Sequence, residues 1–322
     1  MATGTVVPSV GGIIHSTLTS SRKKLIMASI MSNALQAWVF ANDRVELENG
    51  GWNITNPLVV GRNPNVGTYR YYDPVPVNQT DEFDTVEYGW SRFAGSAIIS
   101  EQEEDENQGD TAIFKLMKNK LMVLEESIKE KFSDYMYAVG GGADPLGLGS
   151  LIPTNPTTGT LGGINRATQT QWRTSSYAFA GAIDSSNIEE VLDDVLLDLS
   201  IKQDKPSVIV AGRNMLRMYR QATRDKFQIT LSSGAAGKRM FDLGFDGVMH
   251  NNIPILYDEK CPVDYMYLIN DKYLRLHVLK HVNFRVKKLV APWNTDAIGS
   301  RTVWQGQWCL WRAFRTHGVI TN

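Results

Sequence analysis

The chain lacks two things that define whole classes of protein, which are abundant cysteine and long apolar runs. Only Cys261 and Cys309 occur among 322 residues, too few for a disulfide framework and without short metal-ligand spacing. No uninterrupted apolar stretch approaches the roughly 18 residues of a transmembrane helix. We therefore expect a soluble protein of a reducing compartment, with no membrane partner. The 43% of apolar residues suffices for one large domain or two ordinary ones.

An excess of charge of one sign is missing as well. Lys and Arg number 33 against 34 Asp and Glu, a formal net charge of −1, which argues against a generally basic nucleic-acid binder. The charges are nevertheless segregated. Residues 1–42 hold three basic residues and no acid, residues 73–110 eleven acids and one arginine, and residues 272–322 nine basic residues and one acid. These segments meet either inside one subunit or between copies, and the sequence leaves both open.

Signatures of enzyme chemistry are incomplete. Residues 234–238 imitate a phosphate-binding loop, but Ser232 stands where the loop needs glycine and Arg239 replaces its Ser or Thr. His277 and His281 are four residues apart, yet the surrounding pattern predicts a strand, on which they would lie about 13 Å apart. We therefore predict no catalytic residue, no cofactor, no metal site and no enzymatic activity.

Two helices are predicted in the first half of the chain. Apolar residues at steps of four from Ile26 to Trp38 predict a helix with one apolar stripe over about residues 21–42, after a loose arm of twenty residues. The clearest helix starts after Asp110, with apolar residues three or four apart from Phe114 to Tyr135. Its roughly 27 residues make a rod of about 40 Å, which ends at three consecutive glycines.

The segment between these helices predicts a long β-hairpin. Helical periodicity disappears from about Gly50 to Ser100, and turn signals cluster near a tip at Tyr72 to Asp84. Arms of about twenty residues would each span roughly 60 Å. The hairpin either lies on a partner or folds back onto its own domain. Its aromatic residues include Trp52, Tyr69, Tyr71, Tyr72 and Trp90.

The second half predicts an α/β unit. Ser186 and Glu189 have the spacing of a capping box before an apolar helix face. Strands are predicted at residues 207–211, 253–257 and 265–269, with a short helix at 214–224. A period-two pattern from Leu274 to Val286 and the alternating residues 302–314 predict further strands.

This order of elements resembles the major capsid proteins of tailed bacteriophages, which have the HK97-like fold, over nearly the whole chain. The residues that carry the resemblance are Gly162-Gly163-Ile164-Asn165-Arg166-Ala167-Thr168 with Trp172-Arg173, Pro206-Ser207-Val208-Ile209-Val210, and Asn252-Ile253-Pro254-Ile255 with Asp258. The resemblance implies an α+β fold. Its expected parts are an N-terminal arm and helix (1–48), an E-loop (49–108), a peripheral domain with a spine helix (109–182), an axial α/β domain (183–284) and return strands to the peripheral domain (285–322).

The function implied by the resemblance is assembly. Copies would form hexamers and pentamers of an icosahedral head, assembled in the host bacterial cytoplasm, that encloses double-stranded DNA without sequence specificity. A separate scaffolding protein and a portal are the further expected partners, and a decoration protein stays open. The alternative within the same fold is the shell protein of an encapsulin-type compartment. A more distant alternative is a soluble α/β enzyme or binding protein with a dimerisation ribbon.

The expected interface residues follow from this assembly. We predict that other subunits bury the hairpin aromatics Trp52, Tyr69, Tyr71, Tyr72 and Trp90. The acids Glu101, Glu103 and Glu104 are expected to pair with basic residues of a neighbour, among them Arg285, Lys287, Lys288, Arg312 and Arg315. Arg22, Lys23 and Lys24 either face packaged DNA or form a solvated helix start. Since no lysine lies between Lys24 and Lys115, we expect no isopeptide cross-link from the E-loop.

Overall fold

The computed structural model describes residues 33–61, 63–80, 82–100, 110–178, 183–201, 204–224, 247–283, 285–289 and 297–322. In chain order its α-helices are α1 (Ala34–Ala41), α2 (Asp110–Tyr137), α3 (Leu148–Leu151), α4 (Ile188–Leu199) and α5 (Arg213–Ala222). The strands are β1 (Val45–Glu48), β2 (Asn53–Val59), β3 (Phe83–Gly89), β4 (Ser91–Ser100), β5 (Thr160–Leu161), β6 (Ile164–Asn165), β7 (Ser175–Ala178), β8 (Val208–Ala211), β9 (Gly247–His250), β10 (Ile253–Tyr257), β11 (Tyr265–Ile269), β12 (Leu274–Leu279), β13 (Arg285–Leu289), β14 (Ala297–Leu310) and β15 (Gly318–Thr321). Among these helices, none combines the length and the apolarity needed to cross a bilayer.

A six-stranded mixed sheet forms the centre of the second half of the chain. Its strand order is β7-β15-β11-β8-β10-β9, and β8 pairs parallel with β10 and antiparallel with β11. Because side chains alternate across a strand, β8 contributes Val208 and Val210 to one apolar cluster and Ile209 and Ala211 to another. Helices α4 and α5 cover the second face, and the rest of the protein covers the first.

A five-stranded sheet lies beside the long helix α2. Strands β12 and β13 pair with one edge of β14, β4 pairs with its other edge, and β1 runs parallel to β12. Helix α2 packs on β4, where a Cβ at Gly95 would lie 2.6 Å from Leu124 Cδ1. Phe93 contacts the rings of Phe132 and Trp304, with centroids 5.9 and 5.4 Å apart. The predicted rod helix is therefore present and is fixed to the sheet by aromatic packing.

The predicted hairpin is shorter than its sequence pattern indicates. Strands β2 and β3 pair over seven positions, about 23 Å at 3.3 Å per residue, instead of two arms of twenty residues. The predicted second arm is divided, because β4 leaves the hairpin and pairs with β14 over ten positions. This pairing satisfies the backbone groups of β4 inside a larger sheet, where an isolated ribbon would leave them at an exposed edge.

Helix α1 also differs from its prediction. Residues 21–32 of the predicted helix lie outside the described residues, and the helix that is described is buried on all sides rather than along one stripe. Leu35, Gln36 and Val39 are each 0% exposed, as fully enclosed as the expected apolar positions Ala34 and Trp38. The interior therefore surrounds this short helix.

The α/β unit agrees with its predicted strands, while two local details were wrong. Strands β10 and β11 occupy the predicted ranges, but a 3-10 turn at Lys280–Val282 divides the period-two segment into β12 and β13. The predicted capping box at Ser186 does not form. The carboxylate of Asp184 instead accepts the backbone N–H of Ser186 at 2.8 Å and that of Asn187 at 3.2 Å, since an Asx turn competes with the serine cap. The α+β fold class is confirmed.

Candidate functional site

The base of the hairpin is attached to the body by buried side chains from both of its strands. Ile54 and Leu58 of β2 and Val86 and Tyr88 of β3 are buried. Tyr88 Oη donates a hydrogen bond to the carbonyl of Leu310 at 2.9 Å. Burial raises the pKa of the Tyr88 phenol, so it stays protonated and keeps donating at any physiological pH. The hairpin therefore leaves the body from a fixed position.

The Gly162-Gly163 turn, prominent in the sequence, supports this base. The N–H of Glu87 donates to the carbonyl of Gly162 at 2.9 Å. Gly162 has a φ of +60°, and a Cβ at this position would lie 2.1 Å from Val86 Cγ1. A left-handed backbone and a close approach both require glycine here. The turn thus gives a structural reason for the two glycines of the Gly162–Thr168 motif, which the sequence analysis noted only as a resemblance.

The remainder of that motif forms a polar frame around the same turn. Arg166 is buried, and its Nη2 donates to the carbonyls of Ser150 at 3.1 Å and Leu151 at 2.8 Å. Trp172 is 0% exposed, and its Nε1 donates to the carbonyl of Leu161 at 3.0 Å. The motif is therefore structural: it holds the segment on which the hairpin base rests.

Beyond the base, the described residues 60–61, 63–80 and 82 form a loop, here called the hairpin loop. Its described contacts are mostly polar and local. Asn65 Nδ2 donates to the carbonyl of Asn78 at 2.6 Å, and Asn65 Oδ1 accepts the N–H of Asn78 at 3.1 Å. The N–H of Arg70 donates to the Asp73 carboxylate at 3.0 Å. These bonds shape the two sides of the loop and bury little apolar surface.

Four of the five hairpin aromatics predicted as contacts are left in solvent and are here called the exposed aromatic set; Phe83 of β3 is also 69% exposed but was not among the predicted residues. Trp52, Tyr71 and Tyr72 are essentially fully exposed, with fractions of 94%, 101% and 99%, and Tyr69 is 69% exposed. Trp90, grouped with them in the sequence analysis, differs. Its Nε1 donates to the carbonyl of Gly51 at 3.1 Å, and its ring packs against the core of its own chain. Trp52 lies just before β2 and the three tyrosines lie in the hairpin loop beyond it, so the set is distributed along the hairpin; exposed aromatic groups of this size are candidates for contacts with a partner.

The charged residues expected at subunit contacts divide into three groups. Arg312 Nη1 lies 3.4 Å from the Asp204 carboxylate, and Arg315 Nη2 lies 3.2 Å from that of Asp198, so both have partners within the chain. Arg285 is exposed at the start of β13. Lys287 and Lys288 lie in β13, opposite residues 301 and 300 of β14. The remaining predicted residues lie outside the described ranges: Glu101, Glu103, Glu104, Arg22, Lys23 and Lys24.

A buried histidine between two carboxylates is a cluster that sequence reasoning missed. His277 Nδ1 lies 3.2 Å from Glu48 Oε1, and its Nε2 lies 3.6 Å from Glu46 Oε2. The guanidinium of Arg275 also bonds to Glu46. One ring nitrogen of His277 and one oxygen of each carboxylate lie within 4.8 Å of one another, and each ring nitrogen also has a carboxylate neighbour of its own. Through these contacts the cluster ties β1 to β12.

His281, the other histidine considered for a metal, lies away from this cluster. It is exposed in the 3-10 turn that follows β12. His277 lies in β12, so the two histidines considered in the sequence analysis belong to different elements. The phosphate-loop imitation at residues 234–238 lies outside the described residues.

Asp258, which the resemblance singled out, attaches α1 to the body. Its carboxylate accepts a hydrogen bond from Tyr137 Oη at 2.8 Å and from the N–H of Lys260 at 3.0 Å. Burial raises the pKa of Asp258, and hydrogen bonds from Tyr137 and from the backbone of Lys260, Leu35 and Ala34 act in the opposite direction. A carboxylate at the first turn of a helix binds its free N–H groups. The residue is thus a helix anchor.

The two cysteines are buried free thiols. Burial raises the pKa of both Cys261 and Cys309, which keeps them protonated. A protonated, enclosed thiol is a poor nucleophile. The cysteines therefore act as small apolar groups of the interior.

Comparison with known proteins gives matches at the level of structure. No protein-family model and no curated protein match the sequence. The capsid asymmetric unit of cyanophage A-1(L) is similar, with a TM-score of 0.60, 16% identity and coverage of 86% of this chain and 90% of that chain. The capsid of a native GTA particle has a TM-score of 0.57, 12% identity and coverage of 88% and 90%. A structure from Mycobacterium phage Bobi has a TM-score of 0.53, 11% identity and coverage of 87% and 89%.

These similarities define the class of fold. Nearly the whole of this chain overlies nearly the whole of each matched chain, so the likeness is not confined to one domain. The chain has the α+β fold of these capsid structures.

Proposed function

We propose that the protein is the major capsid protein of a tailed bacteriophage, and that its copies form the hexamers and pentamers of an icosahedral head around double-stranded DNA. The observation that carries the proposal is the exposed aromatic set, held on an anchored hairpin in a chain with a capsid fold. A shell subunit needs a surface that stays open in the monomer and is buried on assembly. The set supplies such a surface.

The parts of the fold then take the following roles. Residues 49–108 act as the E-loop, α2 as the spine helix of a peripheral domain at 109–182, and strands β8 to β11 as the core of an axial domain at 183–284. Strands β7 and β15, which lie outside that range, extend the same six-stranded sheet. Residues 1–48 form the N-terminal arm and helix, and residues 285–322 return to the peripheral domain before β15 joins the axial sheet. The E-loop of one copy lies across its neighbour, which buries Trp52, Tyr69, Tyr71 and Tyr72.

The acids Glu101, Glu103 and Glu104 are proposed to pair with basic residues of the neighbouring subunit. Arg312 and Arg315 already have partners in their own chain, which leaves Arg285, Lys287 and Lys288 of β13 as the proposed partners. The assembled particle is the virion capsid. A separate scaffolding protein and a portal complete its assembly in the host cytoplasm. Since no lysine lies between Lys24 and Lys115, denaturing electrophoresis of shells should show single chains.

The test is assembly of a double variant, Tyr71→Ser with Tyr72→Ser. The chain would be expressed alone and with its flanking genes, and its particles counted by negative-stain microscopy. We expect shells from the parent chain and none from the double variant, which should still fold because both rings are exposed. Tyr257→Ser is the matched control, since Tyr257 is an exposed tyrosine of the body, and it should form shells. Normal shells from the double variant would contradict the role of the set.

A further inference from the structure

Helices α4 and α5 form an outer layer on one face of the six-stranded sheet. They contact each other, and their inner residues share one apolar cluster with the sheet. Those residues are Ile188, Val191, Leu192, Val195, Leu196 and Leu199 of α4, and Met215, Leu216 and Tyr219 of α5. The inner side of each helix therefore packs on the sheet, and the outer side faces solvent.

The solvent-facing sides of the two helices carry opposite charge. Helix α4 has five acids and no basic residue, whereas α5 has three arginines and no acid. Glu190 and Asp194 are exposed on α4, one turn apart, and Arg213 and Arg217 are exposed on α5, also one turn apart. Four residues along a helix rise about 6 Å, so the two charge pairs have matching spacing.

Within the described ranges, these four side chains have no partner, unlike other charged residues of the same layer. Asp193 of α4 contacts His250 at 3.0 Å, and Asp198 contacts Arg315 at 3.2 Å, so other acids of the same helix do have partners. In the part of the chain that the structure describes, Glu190, Asp194, Arg213 and Arg217 take part in no ion pair and no side-chain hydrogen bond. As far as the structure describes the chain, two neighbouring helices thus carry matched, opposite charges without a partner.

The solvent-facing side of α4 also carries an exposed apolar side chain. Leu197 lies on α4 one turn from Asp194 and is 73% exposed. A contact between chains needs an apolar centre with polar groups around it, and Leu197 supplies the first of these.

We propose that the α4/α5 layer is a contact between copies of this chain, in which Glu190 and Asp194 of one copy face Arg213 and Arg217 of the next. The inference rests on the proposed function, because it assigns a second surface to the same assembly. The occupant is a second copy because this chain itself supplies both halves of a complementary charge pattern.

The test uses charge reversal and its rescue. One variant carries Arg213→Glu with Arg217→Glu, a second carries Glu190→Arg with Asp194→Arg, and a third carries all four changes. Lys205→Glu with Lys280→Glu is the matched control, since both lysines are exposed outside the layer. Circular dichroism establishes that each variant is folded. Particle yield and sedimentation in low and high salt are then measured.

We expect each double reversal to lower particle yield at least about tenfold and the fourfold variant to recover it, because the fourfold variant restores opposite charges across the contact. The control should assemble like the parent chain. The inference is overturned if the folded double variants assemble normally or if the fourfold variant stays as defective as they are. A defect confined to the α5 variant also overturns it, since the arginines would then bind another polyanion such as nucleic acid.

The two proposals fail in different ways. A parent chain that stays monomeric, alone and with its flanking genes, contradicts both the capsid function and this contact. Shells that form equally well from parent and reversed chains contradict only the contact.

Discussion

The same kinds of side chain have opposite fates in two regions of this molecule. In the body, Trp172 is 0% and Tyr88 1% exposed, and each donates a hydrogen bond to a backbone carbonyl. At the hairpin, Trp52 and Tyr71 are almost fully exposed. A buried aromatic ring supplies the stability of its own fold. The exposed aromatic set therefore adds little to the stability of the monomer, which leaves its rings free for the proposed contacts between copies.

The largest difference is expected for tryptophan. Trp172→Ala removes an enclosed ring and should cost about 3–5 kcal/mol of unfolding free energy, whereas Trp52→Ala should change it by less than about 0.5 kcal/mol. Urea unfolding of the unassembled chains, followed by circular dichroism, measures both. Comparable losses of unfolding free energy in the two variants would contradict the difference between the buried and the exposed tryptophan.

The second difference is the effect of pH on stability at a buried and at an exposed histidine. Burial lowers the pKa of His317 to about 3, and its Nδ1 accepts the N–H of Asn270 at 3.3 Å, so the folded chain holds the ring neutral. The unfolded chain binds the proton with an ordinary pKa near 6.5. Stability is therefore fully present above about pH 6.5 and is lost as the pH falls toward 3, by about 1.4 kcal/mol per unit.

Urea unfolding between pH 7 and pH 5 tests this prediction by its slope. His317→Gln should remove the contribution, whatever it does to stability at pH 7. His281→Gln, at an exposed histidine, should keep the parent slope. A His317→Gln chain with the parent slope would assign the acid sensitivity to other groups.

Glycine gives a third, smaller contrast. A Cβ at Gly95 would lie 2.6 Å from Leu124 Cδ1 and 3.2 Å from Ile128 Cδ1, so Gly95→Ala should destabilise the chain by about 1–3 kcal/mol as α2 shifts from β4. Gly67 of the hairpin loop has no atom within 4 Å of its Cβ position. Gly67→Ala should therefore leave the thermal midpoint nearly unchanged. Equal midpoints for the two variants would mean that α2 is not tightly packed on β4.

The smallest effect isolates one hydroxyl group. Tyr88→Phe keeps the ring and removes the hydrogen bonds to Leu310, at a cost of about 1 kcal/mol. Tyr71→Phe removes an exposed hydroxyl and should cost nothing measurable in the monomer. Chemical denaturation of the matched pair gives the difference directly, and a Tyr88→Phe chain as stable as its parent would show that water replaces the lost partner.

How far the sequence predicts the fold depends on the range of the interaction. Strands β10 and β11 were predicted at their observed ranges, and α2, predicted to start just after Asp110, begins at Asp110 itself, because periodicity acts over a few residues. The contact of His277 with Glu48 joins positions 229 residues apart, and no local pattern reports such a contact. The paired length of the hairpin was wrong for the same reason, since β14 competes for β4.

The sequence predicted that the candidate surface consists of hairpin aromatics, but it did not predict which of them are exposed. The sequence pointed to five hairpin aromatics, and four of them are exposed in the monomer while Trp90 packs on its own chain. The free charges on α4 and α5 were not anticipated, because only the packed sheet shows which acids already have partners.

By itself, the sequence determined the order and type of the main elements, the charge segregation and the absence of a lysine that could cross-link the hairpin. Tertiary structure decided which edge each strand occupies, which aromatic rings are enclosed and which charges remain unpaired. The physical reason is that helix and strand patterns arise from neighbours along the chain, whereas burial and pairing depend on residues that only folding brings together.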